Sequence, residues 1–419
     1  MPKLLTATLF HQLITASSRV YAPGCAGHSL LLEEWLRAAP PSCAGAEYCG
    51  VWIPGVNEFD WSQVAGNSRA TTFFMSPTLH AGYRAGKVDY LPLHYHAIPP
   101  YLAAPGRFDL ALVQVAPPDA DGNCSLGIAA DFTPAALASG ARIVAHVNPR
   151  MPSTRGPAIA WRDIDYAVEA DAPLLTVADE TLDPVMQALA RNVAARVKDG
   201  ATLQFGLGRL QAAVLHELRG HRGLRIHSGM VSTALCGLID NGALAPPDPA
   251  HPPVVTGVAL GSEALYRRLA EPGLARFSPV THTHANATLA ALPGLVSINS
   301  ALSVDLLGQV NGETLGARQI SGVGGMLDFI RGARLSVGGS SILALPSTAR
   351  NGTLSRIMPA LEGIVSVGRT DVDCIITEHG CADLRYLGTA ARARALIDIA
   401  APQFRDELAA QWQSLSAQL

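Results

Sequence analysis

The sequence lacks most of the features that would assign a chain to a common functional class. It has seven cysteines (25, 43, 49, 124, 236, 374 and 381), an odd number with no C-x-x-C pair. A disulfide framework and a cysteine-based zinc site are both disfavoured, and a reducing compartment fits. There is no block of like charges and the formal net charge is only −3. That argues against a nucleic-acid footprint and a polybasic membrane patch. No uninterrupted apolar run reaches the ~20 residues of a membrane span. The N-terminal stretch MPKLLTATLFHQLITASS is broken by His11 and Gln12, so it does not make the apolar region of a signal peptide. The expectation is a soluble cytoplasmic protein with no nucleic-acid or membrane partner. The common serine-hydrolase route is removed by the lack of a G-x-S-x-G elbow. Neither short repeats nor low-complexity tracts occur.

What is present is a long, apolar chain with regular punctuation. Its 419 residues, 48% of them hydrophobic, exceed what one compact core holds, so two domains are expected. Short β-branched or apolar runs bounded by Gly, Pro or Asp predict strands at 19–22, 47–53, 71–75, 88–91, 110–115 and 142–146. Helical patterns at 29–37 and 133–139 lie between some of them. A second set of strands is expected at 202–205, 225–227, 254–259, 295–299, 342–345 and 374–377, after an amphipathic helix over 184–198. A helical stretch from Thr389, broken near Pro402, ends the chain. This alternation predicts an α/β fold of two open, mainly parallel sheets, divided as 1–188 and 189–419.

Several motifs carry chemistry in principle. Gly206-Leu-Gly208 follows a strand and opens a helix, where backbone approaches a ligand closely and amides favour anions. The third glycine of a dinucleotide fingerprint is absent there. Ser321-Gly-Val-Gly-Gly325 precedes an apolar run, and its amides can converge on a developing oxyanion. A plain turn explains either motif equally well. Asp119-Ala-Asp-Gly-Asn123 opens like a calcium loop, yet Cys124 and Ala130 stand where the loop needs Gly and Glu. A polar turn is the better account. His94 with His96, and His282 with His284, alternate as though along strands. With no H-E-x-x-H or cysteine partner they are read as structural, and no metal is expected.

Longer segments carry a resemblance. GQVNGETLGARQISGVGGMLDFIRGA (308–333), SILALPSTARNGTLSRI (341–357), TEHGCADLRYLGTAARARALIDIAAPQFRDEL (377–408), APPDADGNCSLG (116–127) and ATLQFGLGRLQ (201–211) resemble the acetyl-CoA hydrolase/transferase family. That family includes 4-hydroxybutyrate and butyrate:acetate CoA-transferases. The resemblance implies coenzyme A bound as acyl-CoA substrate in a cleft between two α/β domains, in a homodimer or higher homo-oligomer. It also implies a ping-pong mechanism, in which a glutamate forms first an acyl anhydride and then a CoA thioester. On this resemblance Gly322, Val323, Gly324 and Gly325 are the oxyanion segment. Gly206, Gly208, Gly229, Met230, Asn299 and Arg350 bind CoA or substrate.

One position departs from the family. Its catalytic glutamate stands in a segment of the type I-H-S/T-E-M, and here the segment reads Ile226-His-Ser-Gly229-Met230; Thr233 replaces a common aspartate. Glycine cannot be a nucleophile. In one reading Glu58, on the loop after a first-domain strand, takes over the catalytic role, as in itaconate-type CoA-transferases, with Asp60 in reserve. Gly229 would then leave room for a side chain reaching across. In the second the protein is an acyl-CoA hydrolase that activates water through Glu58 or a histidine. In the third it is a non-catalytic CoA binder. The transferase reading is favoured, acting on a small carboxylic acid, with dicarboxylates such as itaconate or succinate in view. Arg69, Arg84 and Arg209 are then candidates for the charged end, and Arg350 and Arg356 for the CoA phosphates.

Overall fold

Apolar runs short enough for one crossing of a sheet, separated by helix-forming stretches, build two parallel sheets. The structure, a computed structural model, describes residues 1–178, 183–206 and 208–418. In the first sheet the strands are Lys3–Leu4 (β1), Arg19–Tyr21 (β2), Glu47–Gly50 (β3), Arg69–Thr72 (β4), Val88–Tyr90 (β5), Leu110–Val115 (β6), Arg142–Val147 (β7) and Tyr166–Glu169 (β8). Their order is β1-β8-β7-β6-β2-β3-β4-β5, parallel throughout. The second contains Thr202–Phe205 (β9), Arg225–Val231 (β10), Val254–Ala259 (β11), Ala275–Phe277 (β12), Leu295–Ser300 (β13), Ser340–Ala344 (β14), Cys374–Thr377 (β15) and Gly380–Asp383 (β16). It runs β12-β11-β10-β9-β13-β14-β15-β16, and only β16 is antiparallel to its neighbour. Central strands such as β6 are buried along their whole length, as the continuous apolar runs of a two-sided parallel sheet require.

In each sheet the order reverses at an inner strand, at β2 between β6 and β3 and at β9 between β10 and β13. Loops leaving the carboxyl ends of strands at such a switch point diverge and open a crevice.

Several expected boundaries shift, among them the strand expected over 71–75, which is Arg69–Thr72, and the helix expected over 184–198, which ends at Ala194. The strand expected over 47–53 stops at Gly50, because the Trp52 indole N–H turns back to the Ala22 carbonyl. The strand expected over 225–227 continues to Val231. The cut at 188/189 falls inside the helix Pro184–Ala194 (α1), capped by the Asp183 carboxylate accepting from Met186 N–H. Asn192 of α1 donates to the Thr377 carbonyl, so the whole helix belongs with the second sheet.

The halves are stitched as well as stacked. Residues 128–130 of the first half run alongside β11: Ala130 N–H donates to Gly257 O and Ala259 N–H to Ile128 O, both 2.9 Å, and Ala129 bridges Val258. One apolar core accordingly spans both halves, joining Val113, Leu126 and Ile128 to Leu203, Phe205 and Ile226.

Candidate active site

A cavity of about 350 Å³ lies between the halves, at the carboxyl ends of both sheets. Its walls come from the residues following β2, β3 and β4 (Cys25, Ile53, Phe74) and from the ends of β9, β10 and β13 (Gly206, Met230, Asn299). This is the crevice that the two switch points open.

The segment Ser321–Gly325 forms one wall and is held from the other half. Met75 N–H donates to Ser321 O (3.4 Å) and Tyr95 N–H to Gly324 O (3.1 Å). Glycine is required by this approach. A Cβ on Gly322 would sit 2.2 Å from Phe73 O, and Gly324 adopts a φ of +59°, a left-handed conformation. With carbonyls engaged and the ten-residue helix Met326–Leu335 following, the N–H groups of Gly322, Val323, Gly324 and Gly325 hydrogen-bond to no other described residue. Free amides at a helix start are what a tetrahedral oxyanion needs.

Gly229 lies near the end of β10 and lines the same cavity. The space beside it is filled by His284, and Glu58 does not reach across into it. A Cβ at 229 would lie 2.7 Å from His284 Cε1, and one at Gly325 would lie 2.3 Å from His284 Nε2. The ring is wedged between Phe329 and Tyr95, with centroids 4.6 and 5.1 Å away, and its Nδ1 meets Thr283 Oγ1 at 2.9 Å. Burial, then the neighbouring His227 and His96, push its pKa down to about 3, so it stays neutral. Neither histidine pair lies on a strand. Tyr95–Ala97 is a single 3-10 turn, and Val280–Thr283 is a short helix with His284 at its end. His96 pairs with Asp328 across the halves at 2.5 Å, and His282 with Arg276 at 3.1 Å.

Asp131 is the one carboxylate among the described residues lining the cavity. It enters at the end of the stitched segment. Its stem faces Gly257, where a Cβ would sit 3.2 Å from Asp131 Cβ and 2.9 Å from Gly229 O. Phe132 N–H donates to its Oδ1 (2.8 Å). Burial pushes its pKa up to about 6 against that hydrogen bond. The carboxylate in turn raises the phenols of Tyr21 and Tyr95 and the thiol of Cys25, all already raised by burial.

Beneath the cavity floor Asn299 is fixed by a buried amide network. Its Nδ2 donates to Gln204 Oε1 (3.0 Å) and Ser297 Oγ (2.9 Å), and Gln204 Nε2 donates back to Asn299 Oδ1 (3.2 Å). Gly208, at φ +114°, starts the helix Arg209–Glu217. Gln211 on that helix donates to Ser300 Oγ (2.8 Å), while its buried Oε1 meets no donor among the described residues.

The structure thus brings Gly206, Gly229, Met230, Asn299 and Gly322–Gly325 to one cavity and leaves other expected residues outside its lining. Glu58 is exposed; its carboxylate accepts from Gly55 N–H (2.9 Å) and Thr78 Oγ1 (2.8 Å). Asp60 caps a turn by accepting from Ser62. Arg350 is exposed on a turn with a φ of +50°. Arg356 donates to the carbonyls of Thr348 and Leu302. Arg69 and Arg84 are exposed on the first half, and Arg209 lies 3.7 Å from Asp183. Thr233 Oγ1 accepts from Ser262 N–H (2.8 Å). Sequence reasoning missed Asp131, Gln211 and the placing of His284. One signal was available, since Asp131 is the lone charge in the run from Cys124 to Leu137.

Comparison with known proteins agrees with this architecture. Residues 3–178 match the acetyl-CoA hydrolase/transferase N-terminal domain and residues 261–412 the C-terminal domain. The chain is 36% identical over 412 residues to the 4-hydroxybutyrate coenzyme A transferase of Clostridium kluyveri, covering 97% of this chain and 96% of that protein. The crystal structure of RipA from Yersinia pestis superposes with a TM-score of 0.91 at 29% identity, over 99% of this chain and 98% of that one. A 4-hydroxybutyrate CoA-transferase from Porphyromonas gingivalis superposes with a TM-score of 0.80 at 29% identity, over 100% and 98%. The chain belongs to the acetyl-CoA hydrolase/transferase family.

Proposed function

We propose that this protein is a CoA-transferase that moves coenzyme A from an acyl-CoA to a small carboxylic acid. The observation that carries the reading is the row of amides at Gly322–Gly325 that bond to no other described residue, in the wall of a cavity that Asp131 also lines. Those amides stabilise the oxyanion formed from the thioester carbonyl. Gln211 Oε1, which meets no donor among the described residues, accepts an amide N–H of the pantetheine arm, which passes Gly206 and Gly208. Met230 and Asn299 flank the reacting carbonyl. Arg350, outside the cavity, meets the phosphates of the nucleotide end. The enzyme works as a homodimer in the cytoplasm.

The acyl group is better matched by a small monocarboxylic acid than by itaconate or succinate. Ile53, Phe74, Val258 and Phe329 supply apolar walls, and no Lys or Arg is among the described residues lining the cavity. A second carboxylate would be desolvated there with no cation to meet it.

The test uses purified protein with acetyl-, butyryl- or succinyl-CoA and acetate, propionate, butyrate, succinate or itaconate, following new acyl-CoA and free thiol separately. New acyl-CoA without free thiol is the expected result, fastest with monocarboxylates. Acceptor-independent thiol release would make the protein a hydrolase. Neither product would make it a CoA-binding homologue.

A further inference from the structure

We infer that Asp131 is the nucleophile of this enzyme, carrying the acyl group and then coenzyme A in place of the glutamate that Gly229 cannot supply. The inference rests on the transferase reading above.

On the covalent ping-pong route the CoA thioester is kept on a carboxyl group of the enzyme, because a carboxyl can exchange an acyl anhydride for a CoA thioester. An imidazole cannot hold both, which removes His284. Glu58 is exposed, bonded to Gly55 and Thr78, and outside the cavity lining. Asp131 lines the cavity. Its Cβ and the Gly229 carbonyl both lie close to where a Cβ at Gly257 would stand, at 3.2 and 2.9 Å, so Asp131 meets the cavity close to the backbone of the family's catalytic position. It arrives from the first half, whereas a side chain at 229 would arrive from the second. Tyr95 links it to the oxyanion wall: its phenol lies in the field of Asp131 and its N–H holds Gly324.

The steps balance without any further reagent. An Asp131 oxygen attacks the thioester carbonyl, the C–S bond breaks, and CoA leaves as thiolate, giving an acyl-aspartyl anhydride. The thiolate attacks Asp131 Cγ, the anhydride C–O bond breaks, and the first carboxylate departs. The acceptor carboxylate attacks the resulting aspartyl-CoA thioester and expels CoA as thiolate. That thiolate takes the new acyl group and frees Asp131. No proton is gained or lost.

The titratable groups facing Asp131 are Tyr21 and Cys25 on and after β2, Tyr95, and His284 farther along the cavity; none is cationic. Its charged form therefore has no cation to neutralise it, and kcat/KM rises with pH through about 6. The sign for stability is opposite. A carboxyl whose folded pKa lies above its unfolded value weakens the fold as pH climbs past the unfolded value and through the folded one. Asp131→Asn, which keeps an acceptor for Phe132 N–H, removes that weakening.

The experiment treats the full-length protein with butyryl-CoA, reduces any enzyme-CoA thioester with borohydride, and locates the reduced residue by peptide mass. Wild type, Asp131→Asn and Glu58→Gln are also assayed for transfer and melted at pH 4 and pH 8. Expected are reduction at position 131, and a loss of at least about 10³-fold in transfer for Asp131→Asn, with Glu58→Gln near wild type. The Tm of Asp131→Asn should exceed wild type at pH 8 and match it at pH 4, which reports the buried charge, while the reduced residue reports the nucleophile. Transfer retained in Asp131→Asn, or a reduced residue elsewhere, overturns the inference and leaves the transferase reading standing. A wild type that releases only thiol, or gives no product, overturns both.

Discussion

Position 229 shows how one missing atom group propagates. His284 lies against Gly229 and Gly325 so closely that neither position has space for a Cβ. The imidazole is therefore not an ornament of the site but the reason its two glycines belong together. Restoring the family glutamate by Gly229→Glu should not restore a family mechanism. We expect it to cost about 1–3 kcal/mol in stability, as overpacked cores do, with no gain in turnover. Adding His284→Ala should recover much of that loss. Urea unfolding of the single and double variants checks the coupling. The lesson for reading the sequence is narrower than the departure first implied. That Gly229 is no nucleophile is evident from IHSGM alone. What fills the space beside it depends on His284, 55 positions away, and no local pattern carries that.

At the scale of elements, buried strands were the easiest part to read. Leu110–Val115, Thr202–Phe205, Val254–Ala259 and Cys374–Thr377 form as expected, because a two-sided parallel sheet demands an unbroken apolar run. The histidine pairs misled because alternation over three residues is too short to separate a strand from a turn. The glycine wall was legible as a motif, though its clamp by Met75 and Tyr95 was not. Gly322→Ala should collide with Phe73 O, displace the amides, and lower kcat by about 10²-fold, the cost of losing one oxyanion donor. Retained binding of CoA, measured by calorimetry, would separate this from unfolding. The β15–β16 hairpin makes a different prediction. Cys381 is exposed and lies 2.9 Å from Cys374, whose thiol hydrogen bond lowers its pKa to about 7. Burial raises Cys25 and Cys49, and raises Cys124 to about 11. Iodoacetamide at pH 7.5 should therefore label Cys381 first, because the thiolate is the reactive form; peptide mapping at partial labelling gives the order.

Across the whole molecule, the two-sheet plan was readable from alternation, and its division was not. The cut at 188/189 splits α1, and the segment ending at Asp131 lies in the first half by sequence and beside β11 by hydrogen bonding. Sequence order cannot reveal such an exchange, because its partners are more than a hundred residues apart. The stitch has a consequence for how the enzyme wears out. Asp131 is delivered to its place by a strand pairing, and the glycine wall is pinned by backbone bonds from the opposite half. Among the described residues, the walls of the site are thus held by the fold itself. Heat should take activity and secondary structure in one step, with the inactivation curve lying on the far-ultraviolet melting curve. Enzymes whose sites are assembled by mobile loops lose activity first. This one is built to fail all at once.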